Sequence, residues 1–188
     1  MDFNELLVKR RSVRDYEDRE VPLDLIKDLI EDCTKAPNAG NMQLWRFIII
    51  NNKDFMKKIS DACKQAVLSE IEKNPDSPMK GYQAVLSNKD HNVFYNAPAL
   101  VYFVGSVKGA TIPMDCSLAA AYFMLSAASR GLGTCWVAQG AMFQDKELSD
   151  EIGLPENYRI VAPIVLGYPK AIPDMRPRKE PKILKIIS

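Results

Sequence analysis

The chain of 188 residues has 25 lysines and arginines against 24 aspartates and glutamates, which gives a formal net charge of +1. This length predicts a single domain over residues 1–188. The balanced charge argues against a nucleic-acid-binding module, whose affinity usually depends on a surplus of cationic contacts, so no nucleic-acid partner is expected.

The first half of the chain is predicted to contain three helices and one strand. Asp2 and Glu5 have capping-box spacing at the start of a short first helix. A stripe of leucine and isoleucine after Pro22 predicts a second helix. Residues 45–51, WRFIIIN, have the aromatic and β-branched composition of a buried strand, and residues 53–71 return to a helical pattern.

The second half is predicted to contain three strands and a long central helix. Residues 97–105, APALVYFVG, are typical of a buried strand. From Asp115 an alanine-rich helix follows, and its low polarity on nearly all sides predicts a position at the centre of the structure. Residues 134–139 and 159–169 favour two further strands, with a small helix over 146–152 between them. The coarse prediction is an α+β fold.

Several kinds of site are excluded by what the chain lacks. The four cysteines have no CxxC spacing and His91 is the one histidine. This predicts reduced, buried thiols, a loop histidine, no metal site and no histidine-dependent triad. The start of the chain is acidic and no apolar run is long enough to cross a bilayer. A cytoplasmic protein with no membrane partner is therefore expected.

Two nucleotide-binding motifs are also excluded. The sequence RGLGTCW contains Gly131 and Gly133, but a dinucleotide-binding glycine loop follows a strand and precedes a helix, whereas here a helix comes first. No GxxxxGK[ST] sequence occurs. If the protein is an enzyme, its reactive chemistry must come from a bound cofactor or from metal-free acid–base groups.

The segment KRRSVRDY, residues 9–16, groups three arginines around one serine. Guanidinium groups present forked donors that suit phosphate at any working pH. Arg10 and Arg14 share a face if the helix continues through them, and Ser12 adds a hydroxyl between them. Alternatively, these cations only end the first helix favourably against its dipole. The spacing taken alone favours this second interpretation.

Three further segments contain candidate ligand groups. APNAGNMQLWRF brings together Asn38, Asn41 and Gln43, whose carboxamides either meet the edge of a heteroaromatic ring or cap their own turn. GLGTCWVAQG either presents backbone groups to a ligand or pairs with another strand. DMRPRKEP places Arg176 and Arg178 on the tail, where a charge cluster is usually solvated.

Taken together, these segments resemble the nitroreductase family of flavin enzymes. RRSVRDY, APNAGNMQLWRF, NAPALVYF, DCSLAAAYFMLSAASRGLGTCWV and APIVLGYP with a basic tail occur in this order over nearly the whole chain. The resemblance implies a nitroreductase-like α+β fold with a central, mainly antiparallel sheet flanked by helices. It also implies a homodimer with FMN at the subunit interface and an exchanged C-terminal arm, residues 170–188.

The resemblance implies that the two charged ends of the chain meet at the FMN phosphate. Arg10, Ser12 and Arg14 are expected to face the phosphate and the polar edge of the flavin, with Arg11 beside them. One arginine of the tail is expected to complete the clamp, and the candidates are Arg176 and Arg178. The arginines are then ligands rather than solvated helix-end charges.

The resemblance also implies the surroundings of the flavin ring. Carboxamides from the other subunit are expected to approach the ring and the ribityl chain, and these are Asn38, Asn41 and Gln43. A backbone segment is expected to lie along the ring, and it comprises Trp136, Val137, Ala138 and Gln139. Nitroreductases often have serine where this chain has Asn38, proline where it has Leu44, and a Glu-Gly pair in place of Ala138 and Gln139. These departures leave the electron acceptor open.

The chemistry implied is hydride transfer from NADH or NADPH to flavin N5, after which a nitroaromatic, quinone or related acceptor takes the place of the nicotinamide. No catalytic side chain is required, and Arg10 is the candidate for stabilising reduced flavin near N1 and O2. Residues 80–92 are a candidate lid. The alternatives are a dehalogenating or flavin-fragmenting branch, an FMN storage or sensor protein without efficient turnover, and a structural dimer without flavin.

Overall fold

Residues 2–188 are described by a computed structural model, and within that range the chain forms six α-helices and four β-strands. The helices are α1 (Phe3–Lys9), α2 (Leu23–Cys33), α3 (Lys53–Lys73), α4 (Gln83–Leu86), α5 (Ile112–Ser129) and α6 (Lys146–Glu151). The strands are β1 (Arg46–Ile50), β2 (Ala99–Ser106), β3 (Gly133–Trp136) and β4 (Tyr158–Gly167).

The four strands form one antiparallel sheet in the order β1-β2-β4-β3. Strand β2 lies inside the sheet and is buried from Ala99 to Gly105. Its side chains alternate between two apolar layers: Leu100, Tyr102 and Val104 belong to one. Val101 and Phe103 belong to the other. Because both faces of the sheet are covered, β2 is apolar throughout. The predicted α+β fold with helices flanking an antiparallel sheet is confirmed.

The helix ends follow the local sequence. The Oδ1 of Asp2 accepts a hydrogen bond of 2.9 Å from the backbone N–H of Glu5, so the predicted cap of α1 is present. Helix α5 ends where Gly131 adopts a φ of +75°, a conformation that glycine takes without steric cost. The four cysteines of the described chain are free and buried, as predicted. None of the helices within residues 2–188 has the length and apolar composition needed to cross a bilayer.

Helix α5 is central on one face only. Its buried residues pack against the sheet and include Cys116, Ala119, Ala120, Phe123 and Ala127. On another side, an apolar stripe of Met114, Leu118 and Tyr122 stays 41–56% exposed. The low polarity that predicted a central position therefore reflects in part a second face that nothing in the described chain covers. Helix α1 is similar, because it buries no residue and Phe3 and Leu7 are largely exposed.

Candidate functional site

The segment after α1 is held beside the sheet by backbone pairing on two sides. Ser12 forms a parallel bridge with Thr134 of β3, and the N–H of Val13 donates to the Thr134 carbonyl at 2.9 Å. A few residues later, Tyr16 forms an antiparallel bridge with Pro169, directly after β4. These contacts fix the arginines of this segment at one edge of the sheet.

The same pairing sets the direction of the C-terminal tail. The N–H of Lys170 donates to the Asp15 carbonyl at 3.2 Å, and the two side chains form an ion pair of 3.0 Å. The guanidinium of Arg19 lies 3.7 Å from the ring centroid of Tyr168. Because residues 168–170 are fastened to the N-terminal segment in this way, the chain that follows returns toward Arg10.

The two ends of the chain enclose a cavity of about 370 Å³, which we call the basic pocket. Its lining residues within the described chain are Arg10, Arg11, Ser12, Arg14, Pro173, Asp174, Arg176 and Arg178. The lining includes all six residues that the family resemblance offered as candidates for a phosphate clamp, with both Arg176 and Arg178 among them. Pro173 and Asp174 were not singled out, since an isolated proline and aspartate in a charged tail give no signal. With five arginines against one aspartate, the pocket favours an anion.

Arg11 is the most buried arginine of the basic pocket, at 9% exposure. Its Nη1 donates to the Arg10 carbonyl at 2.6 Å. Its Nη2 is the one buried side-chain nitrogen or oxygen, within residues 2–188, that has no hydrogen-bond partner. Burying a charged donor without a partner is unfavourable. Arg11 therefore brings to the pocket a charged side chain that the described chain does not fully satisfy.

Arg10 is crowded by other cations. Burial lowers the pKa of its guanidinium most, and the neighbouring charges of Arg11 and Arg178 lower it further. Arg10 and Arg178 line the same cavity, so the two chain ends can act on one ligand. An anionic group between them would relieve the repulsion.

Arg14 is positioned by a residue that sequence reasoning missed. Its Nε–H donates to the hydroxyl of Tyr95 at 3.3 Å, and its Nη1 donates to the Ser12 carbonyl at 3.3 Å. The bond to Tyr95 raises the pKa of Arg14. Tyr95 immediately precedes the NAPALVYF motif, but a single tyrosine in a polar loop carries no sequence pattern that would connect it to Arg14.

Residues 38–44, which we call the carboxamide loop, form a compact turn. The Oδ1 of Asn38 accepts from the backbone N–H of Gln43 at 2.9 Å, and the Nε2 of Gln43 donates to the Oδ1 of Asn41 at 3.1 Å. Asn41 and Gln43 have left-handed backbone, with φ of +53° and +50°. Within one chain these side chains therefore stabilise their own turn, and none of them lines the basic pocket. Their contact with a flavin stays a prediction.

The carboxamide loop is fastened to α5 by a buried carboxylate. Asp115, in the first turn of α5, is 5% exposed, and its Oδ1 accepts from the N–H of Ala39 at 3.1 Å. The loop is therefore joined to the first turn of α5, the turn that also contains exposed Met114. Sequence reasoning treated Asp115 only as the start of a helix, because its loop partner lies 76 residues earlier in the chain.

The segment Trp136–Gln139 leads from the end of β3 into a short turn. Trp136 pairs with Ile164 of β4, and Val137 has a buried side chain while its N–H donates to the Pro163 carbonyl at 2.9 Å. Ala138 and Gln139 begin a short 3-10 turn. Burial raises the pKa of the thiol of Cys135, the residue before Trp136, and the positive charge of Arg14 opposes that rise. None of Trp136, Val137, Ala138 and Gln139 lines the basic pocket, so their place along a flavin ring stays a prediction.

The candidate lid over residues 80–92 contains a 3-10 turn (Pro78–Tyr82) and α4. Tyr82 and Val85 are exposed on it. His91 lies in the loop that follows α4, as predicted, and burial lowers its pKa. Its ring meets that of Tyr95 edge-on at a centroid distance of 6.4 Å. The lid therefore leads into the loop that contains Tyr95.

Comparison with known proteins points to one family. The nitroreductase family model matches residues 7–168. A protein of Archaeoglobus fulgidus, provisionally named NADH dehydrogenase/NAD(P)H nitroreductase, is 27% identical over 171 residues, which covers 88% of this chain and 84% of that protein.

Two solved structures share the fold. A nitroreductase of Bacteroides fragilis with bound FMN superposes with a TM-score of 0.83 and 24% identity, covering 99% of this chain and 100% of that chain. An oxidised iodotyrosine deiodinase, solved with FMN and 3-iodo-L-tyrosine, superposes with a TM-score of 0.77 and 22% identity, covering 96% of each chain.

Proposed function

The chain belongs to the nitroreductase family, and we propose that it is an FMN-dependent oxidoreductase that passes electrons from NADH or NADPH to a small acceptor. We take this acceptor to be a nitroaromatic, a quinone or a related compound, and we take the donor and acceptor to occupy one face of the flavin in turn. The observation that carries the proposal is the basic pocket, in which arginines from both ends of the chain surround one cavity.

The basic pocket fits the phosphate of FMN. A phosphate monoester carries close to two negative charges and offers several acceptor oxygens. Arg10, Arg14 and Arg178 are available to neutralise this charge, and the guanidinium of buried Arg11 adds a further positive charge at the pocket. The carboxylate of Asp174 would repel an anion, but Asp174 is exposed and the lining also contains five arginines.

Each group of residues then has a defined task. When bound, FMN supplies the redox chemistry between the nicotinamide and the acceptor. The basic pocket holds the phosphate end, while Arg10 and Arg14 place positive charge toward the polar edge of the ring. Positive charge there favours the anionic form of reduced flavin, so these arginines raise the reduction potential. The chain itself needs no nucleophile.

We also propose that the protein is a homodimer. Its exposed apolar surface includes the stripe of α5, with Leu118 at 42% exposure, and the end of the tail, where Leu184 is 98% exposed. Several large exposed apolar side chains on one helix face are typical of protein–protein interfaces. A second copy seated on the α5 stripe would also cover the adjacent carboxamide loop. This supports the placement of Asn38, Asn41 and Gln43 against the flavin of the other subunit, with residues 170–188 as an exchanged arm.

The proposal is tested by the visible spectrum of the purified protein, recorded without oxygen before and after NADH or NADPH is added. We expect a flavin spectrum that bleaches, and the nucleotide that bleaches it faster is the preferred donor. A flavin spectrum that persists would overturn the oxidoreductase and support a storage or sensor role. Colourless protein that does not take up added FMN would overturn flavin binding altogether.

A further inference from the structure

Two adjacent residues near the basic pocket have unusual backbone conformations. Tyr95 and Asn96 have φ of +56° and +52°, a left-handed region that residues other than glycine seldom adopt. Such conformations persist only where the surrounding structure enforces them, and they concentrate at functional sites. Contacts with α3 hold the backbone in this conformation, and the conformation brings the Tyr95 side chain to Arg14.

The loop before Tyr95 is fastened to α3. Lys64 is 7% exposed, and its Nζ donates to three backbone carbonyls within residues 88–91, the shortest bond being 2.9 Å to His91. One turn earlier on α3, the buried hydroxyl of Ser60 accepts from the N–H of Val93 at 3.0 Å. A buried lysine that binds several carbonyls restrains all of them together. The path of the chain into Tyr95 is therefore fixed.

The core determines which way Tyr95 faces. Phe94 is fully buried against the sheet, whereas Tyr95 is only partly buried. The left-handed turn at Tyr95 places its side chain at the margin of the core, where it packs against the buried cluster and reaches the arginine segment. There its hydroxyl accepts from the Nε–H of Arg14, and its ring centroid lies 5.7 Å from the Arg14 Cζ. The hydrogen bond and the cation–π contact therefore both restrain the guanidinium of Arg14.

We propose that Tyr95 is a positioning residue that holds the Arg14 guanidinium at the basic pocket, so that Arg14 is ordered before an anionic ligand arrives. An arginine side chain has many rotamers, and ordering it on binding would weaken affinity. Tyr95 and the Ser12 carbonyl remove much of this freedom in advance. The consequence for FMN rests on the proposed function, whereas the ordering of Arg14 does not.

The first test measures Arg14 without any ligand. In ¹⁵N-labelled protein, the Nε–H signal of Arg14 is assigned by its loss in Arg14→Ala. We expect this signal to be protected from solvent exchange in the wild type and to broaden or vanish in Tyr95→Phe, which keeps the ring and removes the hydroxyl. Tyr158→Phe is the matched control. Tyr158 is partly buried like Tyr95 but lies at the start of β4, so loss of its hydroxyl should leave the Arg14 signal unchanged. An Arg14 signal equally protected in Tyr95→Phe would overturn the proposal.

The second test measures the Kd for FMN by quenching of flavin fluorescence. Tyr95→Phe should raise the Kd about threefold to tenfold, the range expected for loss of one such hydrogen bond. In an Arg14→Ala background the same change should have no further effect. Equal losses in both backgrounds would show that Tyr95 acts independently of Arg14 and would overturn the proposal. If the wild type binds no FMN, the proposed function fails, and the Arg14 signal alone decides the role of Tyr95.

Discussion

The basic pocket and the carboxamide loop both consist of polar side chains, but they use them differently. In the described chain, five arginines converge on the pocket, and the buried Nη2 of Arg11 has no partner. In the loop, Asn38, Asn41 and Gln43 bond to one another and to their own backbone. One region is ready for an anion within a single chain, while the other already satisfies much of its own bonding.

The difference follows from the chemistry of the two side chains. A guanidinium has only donors and a positive charge, so a cluster of arginines cannot satisfy itself. A carboxamide has both a donor and an acceptor, so a cluster of asparagine and glutamine can. Arginines brought together at some energetic cost therefore indicate a ligand more strongly than clustered carboxamides do. The loop becomes part of a site only if a second copy of the chain is placed against it.

The largest expected effect is a change in oligomeric state. Leu118→Glu puts a charge into the exposed stripe of α5, so the proposed dimer should separate into monomers of 21.1 kDa. Light scattering coupled to gel filtration measures the mass. Val107→Glu is the control, because Val107 is 52% exposed but lies outside the stripe, and its dimer should be retained. A wild-type protein that is already monomeric at micromolar concentration would contradict the dimer.

The next prediction compares the effect on FMN affinity of an arginine in the basic pocket with that of an exposed arginine elsewhere. Arg10→Ala removes a partly buried cation that lines the basic pocket together with Arg178, and we expect the Kd for FMN to rise about 10- to 100-fold, as for loss of a charged hydrogen bond. Arg159→Ala, an exposed arginine on β4, should leave the Kd within about twofold. Wild-type flavin content in Arg10→Ala would remove Arg10 from the site.

A smaller effect is expected in the carboxamide loop. Asp115→Ala leaves the N–H of Ala39 without its buried acceptor, which should lower the free energy of unfolding by about 1–3 kcal/mol in urea titrations. FMN affinity should fall only a few-fold, because the loop is displaced but the basic pocket is intact. Asp115→Asn keeps an acceptor oxygen and should recover most of the stability. Equal losses in the two variants would mean that charge, not the hydrogen bond, matters here.

The sequence predicted the elements well because their signals are local. The run of apolar residues in β2, the cap at Asp2 and the glycine after α5 each act within a few residues, and each is present in the structure. The two arginine clusters could also be assigned to one site through the family resemblance. Charge clusters are visible in a sequence even when their members lie at opposite ends of it.

What the sequence did not predict depends on contacts between distant residues. Tyr95 meets Arg14 across 81 positions, and Asp115 meets Ala39 across 76. Neither tyrosine nor aspartate is unusual in its local segment, so no pattern marks it. The exposed stripe of α5 was hidden for the opposite reason. The sequence of α5 is apolar on nearly all sides, and this composition does not distinguish a face that packs on the sheet from one that a second copy would cover.

The central claim is that the basic pocket binds the phosphate of FMN, and a comparison of FMN with riboflavin tests it most directly. The two flavins differ only in that phosphate, so their Kd values for the wild-type protein, measured by fluorescence quenching, isolate its contribution. We expect FMN to bind at least about 100-fold more tightly than riboflavin, since two or more charged hydrogen bonds are involved. Equal affinity for the two flavins would contradict the account.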